Sequence, residues 1–222
     1  MNLSPISWLP AGTVYGTLLN FRREQALWAA RMAEPPYKGA PRAPVLYVKT
    51  ANTFSPHGAD VPLPARVPEV DIGATLGLVV GAAAGPGLAS VEGVVLLNDL
   101  SVPHDSYYRP PVRFKCLDGF LGIGSRCVPL AGLGELSALS LDVRVNGALR
   151  QSVRFDGLVR DAATLLTDVN AFMTLRPGDV LMLGTDCLPD GTRPRARAGD
   201  RIEIDAPGFA PLVNTLVGEA TS

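Results

Sequence analysis

Histidine and cysteine are scarce in this chain. Its 222 residues include two histidines, His57 and His104, and three cysteines, Cys116, Cys127 and Cys187. The cysteines form no C-x-x-C pair, and neither histidine pairs with a cysteine at zinc-ligand spacing, which argues against a structural zinc site. An odd number of separated thiols suits free cysteines in a reducing compartment. A surplus of one charge is also lacking. Lys and Arg total 20 against 21 Asp and Glu, for a net charge of -1, and no long basic run marks a nucleic-acid surface. The longest apolar run, Gly73 to Ala89, is glycine-rich and broken by Pro86. It falls short of the roughly 18 to 20 residues of a membrane span. The opening "MNLSPISWLPAG" has no basic n-region and is interrupted by Pro5 and Pro10, so no signal peptide is expected and a soluble cytoplasmic protein is. G-x-S-x-G, G-x-x-x-x-G-K-[ST] and H-E-x-x-H are all absent. "GAAAGPG" has no Lys-Ser/Thr after it and reads as a flexible turn rather than a phosphate cradle.

What is present is a foldable composition, 47% apolar and 18% charged, punctuated by 20 prolines and 23 glycines without a period. That pattern predicts many turns and short strands. "GTVYGTLLNF" reads as a short strand or turn leading into a helix, "RREQALWAARMAE", which Pro35-Pro36 stops. Residues 1–44 are expected to form an N-terminal cap on a catalytic domain spanning 45–222. Within the latter, "VLYVK", "EVDIGATLGLVV" and "VEGVVLLNDL" read as strands. "LDVRVNGALRQSVR" reads as a hairpin turning at Asn146-Gly147. Helical spacing of Leu158, Val159, Ala162, Leu165, Leu166, Val169, Phe172 and Met173 predicts the strongest helix. "DVLMLGTD", "DRIEIDA" and "PLVNTLVG" close the chain as strands. Strands do not alternate with helices, which excludes a doubly wound sheet. The expected fold is mixed and mainly β, a β-roll or barrel-like sandwich with few helices. The long segment from Pro103 to Gly124 is irregular, aromatic and charged, as functional segments often are.

Two carboxylates stand in the otherwise apolar "VPEVDIGATLGLVVG". In a strand, Glu69 and Asp71 point to one face about 7 Å apart. Burying two such neighbours is costly unless a cation compensates them. Asp99, at the end of "VVLLND", supplies a third carboxylate, and an oxygen-only set favours Mg²⁺ or Mn²⁺ over zinc. The alternative is that acids at strand ends simply face water. Lys49, Arg109, Arg113 and Lys115 lie in neighbouring segments and could hold a polyanionic ligand, or could be solvated surface groups. Asp118 could orient Lys115 or cap a turn. Thr185 could donate to a ligand carboxylate or serve a turn.

These motifs together resemble the fumarylacetoacetate hydrolase family. "PEVDIG" and "LLNDLS" look like its acid-x-acid strand and its Asn-Asp, which carry the metal through Glu69, Asp71 and Asp99. "LYVKTANTF" looks like its Lys-bearing strand and loop (Lys49), "KCLDGFLGIG" like its Lys-x-x-Asp-x-Phe segment (Lys115, Asp118), and "LGTD" like its Gly-Thr-Pro (Thr185). The likeness runs from about Gly12 to Val217. Within the family it is nearer to the isomerase/decarboxylase branch of 4-hydroxyphenylacetate degradation, and there to the N-terminal half or subunit. "PPYKGAPRAPVLYVKTANTF" and "NDLSVPHDSYYRPPVRFKCLDGF" carry that nearer likeness. The resemblance implies a divalent metal, Mg²⁺ or Mn²⁺, and a small 2-oxo di- or tricarboxylate substrate. It implies a homodimer, or a hetero-oligomer with a homologous chain, and no nucleic-acid or membrane partner. It implies decarboxylation or isomerisation through a dienolate, with Lys115 as a second positive charge or proton donor. Lys49 and Arg109 would then hold substrate carboxylates, and Thr185 the chelated carboxylate. His104 is a further candidate acid. Two departures stand out. Many members carry Asn-Tyr-x-x-His-x-x-Glu near the N-terminus; here "NFRREQAL" puts Glu24 and Leu27 where the His and Glu would be, which favours chemistry without an attacking water. The second metal acid is Asp71 rather than Glu.

Overall fold

The computed structural model describes residues 7–219 apart from 36, 38, 84, 86 and 105–111. In chain order its strands are β1 (Val14–Leu18), β2 (Val45–Lys49), β3 (Phe54–Pro56), β4 (Asp60–Leu63), β5 (Val70–Asp71), β6 (Ala74–Val80), β7 (Val91–Asp99) and β8 (Leu121–Ile123). They continue with β9 (Val128–Pro129), β10 (Ser140–Val145), β11 (Ala148–Arg154), β12 (Val180–Met182), β13 (Arg195–Ala196), β14 (Arg201–Asp205) and β15 (Leu212–Gly218). Three α-helices accompany them: α1 (Arg22–Met32), α2 (Val112–Lys115) and α3 (Ala162–Asn170). The fold is mixed and mainly β, as the sequence predicts.

Eight strands make a curled sheet in the order β2-β1-β12-β6-β7-β8-β3, with β9 alongside β7. Five more make a second sheet, β11-β10-β14-β15-β4, and β13 pairs with β5 alone. Successive side chains of β6 and β7 serve opposite faces. Leu76, Leu78, Val94 and Leu96 join the core shared with Leu141, Val143, Ile202 and Leu216 of the second sheet. Val79, Val95 and Leu97 join Val14, Val180 and Met32 on the other face. A sheet covered on both faces needs strands that are apolar throughout, and this is why β6 and β7 read as continuous hydrophobic runs.

The hairpin turns where predicted, with positive φ at Asn146 (51°) and Gly147 (80°). Other expectations are corrected. "EVDIGATLGLVV" is not one strand. It changes neighbours at Ile72–Gly73, since β5 pairs with β13 while β6 pairs with β7 and β12. The strong helix begins at Ala162, not at Leu158. Leu158 forms an antiparallel bridge with Phe21, the Val159 amide donates to the Asn20 carbonyl, and Asp161 caps the helix by accepting from the Thr164 amide at 2.8 Å. β1 lies inside the main sheet between β2 and β12, and α1 follows it, with Met32 in the core on one face of that sheet. Among the described residues no helix is long and apolar enough to cross a membrane.

Candidate functional site

Asp99 is the centre of a buried charge cluster. It ends β7, and its amide donates to the Gly73 carbonyl at 2.8 Å. Lys115, on α2, places Nζ 2.7 Å from Asp99 Oδ2, and the Tyr47 hydroxyl donates to the same oxygen. Lys115 Nζ also sits 4.9 Å from the centre of the Tyr47 ring. Lys49 ends β2 with Nζ 3.0 Å from Asp99 Oδ1. Its three protons go to the backbone carbonyls of Lys115, Phe120 (2.7 Å) and Leu100 (3.4 Å). Asp99 Oδ1 therefore faces the Lys49 charge without a hydrogen bond, and is a fully buried acceptor with capacity left. Burial pushes the Asp99 carboxyl upward. The positive charges of Lys115 and Lys49, with the hydrogen bonds from Lys115 and Tyr47, outweigh that and hold it well below the ordinary carboxylate range. Burial lowers the Lys49 ammonium against the pull of Asp99, and burial followed by the Asp99 charge raises the Tyr47 phenol well above its usual value.

Glycine makes this cluster compact at two points. Gly16 lies opposite Tyr47 in the β1–β2 register, and a Cβ there would fall within the Tyr47 ring. Gly73 lies against Asp99; a Cβ would meet the Asp99 carbonyl oxygen at 2.5 Å and Thr185 Cγ2 at 2.9 Å.

Glu69 and Asp71 meet one cation, as their shared face requires, and that cation is Arg195. Arg195 Nε lies 3.0 Å from Asp71 Oδ1 and Nη1 2.5 Å from Glu69 Oε1. Arg195 is the direct cross-strand partner of Asp71. On its other side Asp71 forms an antiparallel bridge with Ser101, two residues after Asp99. The two aspartates thus stand one ladder step apart on adjoining segments. Burial raises the Asp71 carboxyl, opposed first by its hydrogen bond to Arg195, then by the charges of Arg195, Arg193 and Lys115.

Beside this pair opens a cleft of about 580 Å³, whose walls include Asp71, His104, Trp28, Arg31, Arg193 and Arg195. Arg193 Nη2 reaches Glu24 Oε1 at 2.5 Å and the Thr185 hydroxyl at 3.2 Å. His104 stacks on Phe114, ring centroids 4.5 Å apart, with Nδ1 3.0 Å from the Val102 carbonyl oxygen.

The sequence candidates are therefore distributed as follows. Asp99, Lys49 and Lys115 come together; Glu69 and Asp71 come together at Arg195; Thr185 joins through Arg193 and lies against Gly73. Lys49 is wholly buried, so its ammonium serves Asp99 and three carbonyls rather than the cleft surface. Asp118 accepts from Asn52 Nδ2 at 2.6 Å, while the partner of Lys115 is Asp99. Arg109 lies outside the described residues. Tyr47, Arg193 and Arg195 were not among the sequence candidates, and Glu24 stood there only as a departure from the family pattern. Tyr47 had a signal, being two residues before Lys49 and so on its face of the strand. Arg193-Pro-Arg195 had only its own pattern, because the carboxylates it meets, Glu24, Glu69 and Asp71, are more than 100 residues away.

The acids suit a hard cation in chemistry, being oxygen donors only. Glu69 and Asp71 already bridge a positive group, and Asp99 Oδ1 has acceptor capacity to spare. Among the described residues no three acidic, histidine or cysteine side chains gather closely enough to surround an ion. The guanidinium of Arg195 stands where two of them would share one.

The family profile described as fumarylacetoacetate (FAA) hydrolase C-terminal matches residues 13–217. A 4-hydroxyphenylacetate degradation bifunctional isomerase/decarboxylase from Escherichia coli is 34% identical over 213 residues, covering 94% of this chain and 48% of that protein. The chain thus spans about half the length of that relative. A 2,4-didehydro-3-deoxy-L-rhamnonate hydrolase from Sphingomonas sp. is 27% identical, covering 74% of this chain and 61% of that one. The crystal structure of 5-carboxymethyl-2-hydroxymuconate delta-isomerase from Mycobacterium smegmatis superposes with a TM-score of 0.76 at 25% identity, covering 97% of this chain and 82% of that one.

Proposed function

The chain belongs to the fumarylacetoacetate hydrolase family, and from that premise we propose that it is a divalent-metal-dependent enzyme acting on 2-oxo di- and tricarboxylates. The proposed reactions are decarboxylation of 5-oxopent-3-ene-1,2,5-tricarboxylate and isomerisation of 2-hydroxyhepta-2,4-diene-1,7-dioate. The carrying observation is the cleft, where Asp71 shares a wall with the guanidinium groups of Arg193 and Arg195, and Arg195 ties Asp71 to Glu69 beside it. Such walls suit a cation and the carboxylates of one ligand together.

Glu69, Asp71 and Asp99 would hold Mg²⁺ or Mn²⁺, which when bound supplies Lewis acidity toward the 2-oxo acid end of the substrate. Lys49 positions Asp99 and does not touch substrate. Lys115, held at Asp99 Oδ2, offers the second positive charge. As the bond to the departing CO₂ breaks, its electron pair moves through the conjugated system to the ketone oxygen, and Lys115 stabilises the resulting dienolate charge. A proton taken from water or from Lys115 at the ketone oxygen gives the 2-hydroxy-2,4-diene and completes the decarboxylation. In the isomerisation the 2-hydroxyl gives up its proton and the far carbon of the same dienolate gains one, giving the 2-oxo-3-ene form, so one set of side chains serves both. Thr185 and Arg193 bind a substrate carboxylate. Glu24 is taken up by Arg193 at 2.5 Å, which supports chemistry without an attacking water.

The test is turnover of the tricarboxylate by the purified chain, with and without exhaustive chelation. Metal-restored decarboxylation is expected; full activity after chelation sinks the metal assignment. A second reading has its own support, because the chain covers 48% of its bifunctional relative. On that reading it completes an oligomer with a homologous partner that holds the working site. Activity of the isolated chain rejects this, and hydrolytic cleavage of an acylpyruvate would instead favour hydrolase chemistry.

A further inference from the structure

Arg195 has an unusual combination of partners and freedom. Its backbone is fixed in β13 opposite Asp71, and the next residue, Ala196, is buried. Its side chain is 44% exposed, against 15% for Asp71. Nε and Nη1 are used on two different carboxylates, while Nη2 has no partner among the described residues. The guanidinium can therefore leave the acids by side-chain rotation alone, without disturbing the sheet. Arg193, two residues earlier, has no such freedom, since its side chain is 17% exposed and bound to Glu24 and Thr185.

We propose that Arg195 is an exchangeable counter-cation: it yields Glu69 and Asp71 to a divalent ion and turns its guanidinium to a carboxylate of the anion in the cleft. The inference rests on the metal assignment above. Arg195 takes one oxygen of each carboxylate, and a divalent ion brought to the same pair sets a second positive charge against the guanidinium, so ion and guanidinium compete. The Arg195–Glu69 contact is open to solvent on both sides and contributes little, so this competition is one a divalent ion can win. The freed guanidinium stays within the cleft wall it shares with Arg31 and Arg193, where anionic ligands are favoured. Because each ligand then prepares the site for the other, their affinities are positively and reciprocally coupled.

Calorimetric titration of the full chain with Mn²⁺, with and without 2-oxoadipate as a 2-oxo dicarboxylate probe, tests this. Arg195→Gln is expected to bind Mn²⁺ roughly tenfold more tightly than the unaltered chain, within the usual range of coupling between sites. 2-Oxoadipate is expected to tighten Mn²⁺ binding by a larger factor in the unaltered chain than in Arg195→Gln. Equal Mn²⁺ affinities overturn the displacement while leaving the metal assignment standing. Equal enhancement by 2-oxoadipate overturns the transfer to the anion. Absence of Mn²⁺ binding in both overturns the metal assignment and this proposal with it. Circular dichroism checks folding. Should Arg195→Gln not fold, Arg195→Lys, which keeps the charge but loses the planar fork that spans the two acids, is expected to give an intermediate gain, and no gain overturns the proposal.

Discussion

Lys49 Nζ lies 3.0 Å from Asp99 Oδ1, and neither side chain has any exposed surface. Both charges have been taken out of water, a cost repaid only while each has its partners. Asp99→Asn leaves two ammonium groups beside a neutral amide. A loss of about 3–5 kcal/mol is expected, the usual consequence of breaking a buried pair from one side. Urea unfolding should show a lower midpoint with an unchanged slope. Lys49→Met should cost stability comparably, and should lower turnover without a selective rise in KM, because Lys49 acts through Asp99.

The same cluster sets an acid limit to stability. The Asp99 carboxyl in the folded chain lies well below its unfolded value of about 3.9. A depressed carboxyl stabilises the fold fully above the unfolded value, and that contribution fades as pH falls below it. Asp71 runs the other way. Burial raises it, so lowering the pH relieves a cost. Comparing the two chains isolates the first effect. The stability gap between the unaltered chain and Asp99→Asn should be constant from neutrality to about pH 5 and shrink progressively below about pH 4. A gap that stays constant to pH 2.5 contradicts the assignment.

Tyr47 tests whether the cluster is assembled by the sheet or merely sits in it. Tyr47→Phe removes one hydrogen bond to a buried carboxylate, expected to cost about 1.5–3 kcal/mol. Gly16→Ala removes no polar group at all, yet its new Cβ would enter the Tyr47 ring. Ring displacement should therefore reproduce the loss of the Tyr47–Asp99 hydrogen bond and add strain, and both variants are expected to lower kcat by loosening Asp99. Thermal unfolding combined with kcat measurements separates the two effects.

Fold and site differ in how far the sequence discloses them. β2, the Asn146-Gly147 hairpin and the apolar β7 are legible because their signals are local: alternation, turn chemistry and continuous burial. The break at Gly73 is not, since it arises from a change of strand partners. Glu69 and Asp71 are legible as a same-face pair, and Asp99 as the acid ending an apolar strand. Arg193 and Arg195 are not, because only the antiparallel pairing of β13 with β5 brings Arg195 to Asp71 across 124 residues. A cation supplied from that distance leaves no mark in the acid-x-acid pattern it satisfies.

Glu24 and Arg193 offer the means to separate substrate binding from folding. Glu24 is 4% exposed in its side chain, and Arg193 reaches it at 2.5 Å while also contacting the Thr185 hydroxyl. Arg193→Met should lower kcat/KM for the tricarboxylate by roughly 10 to 100-fold, the loss of a charged hydrogen bond of about 1.5–3 kcal/mol. It should also destabilise the fold, because a directly bonded cation is taken from a buried carboxylate. Adding Glu24→Gln removes the buried negative charge that Arg193 had faced. If Arg193 binds substrate, the double variant recovers most of the lost unfolding free energy while kcat/KM stays low and the KM for the tricarboxylate stays high. Recovery of both together would mean that Arg193 serves only to neutralise Glu24. The cycle reads stability and catalysis from the same proteins, and the two roles predict opposite behaviour of KM.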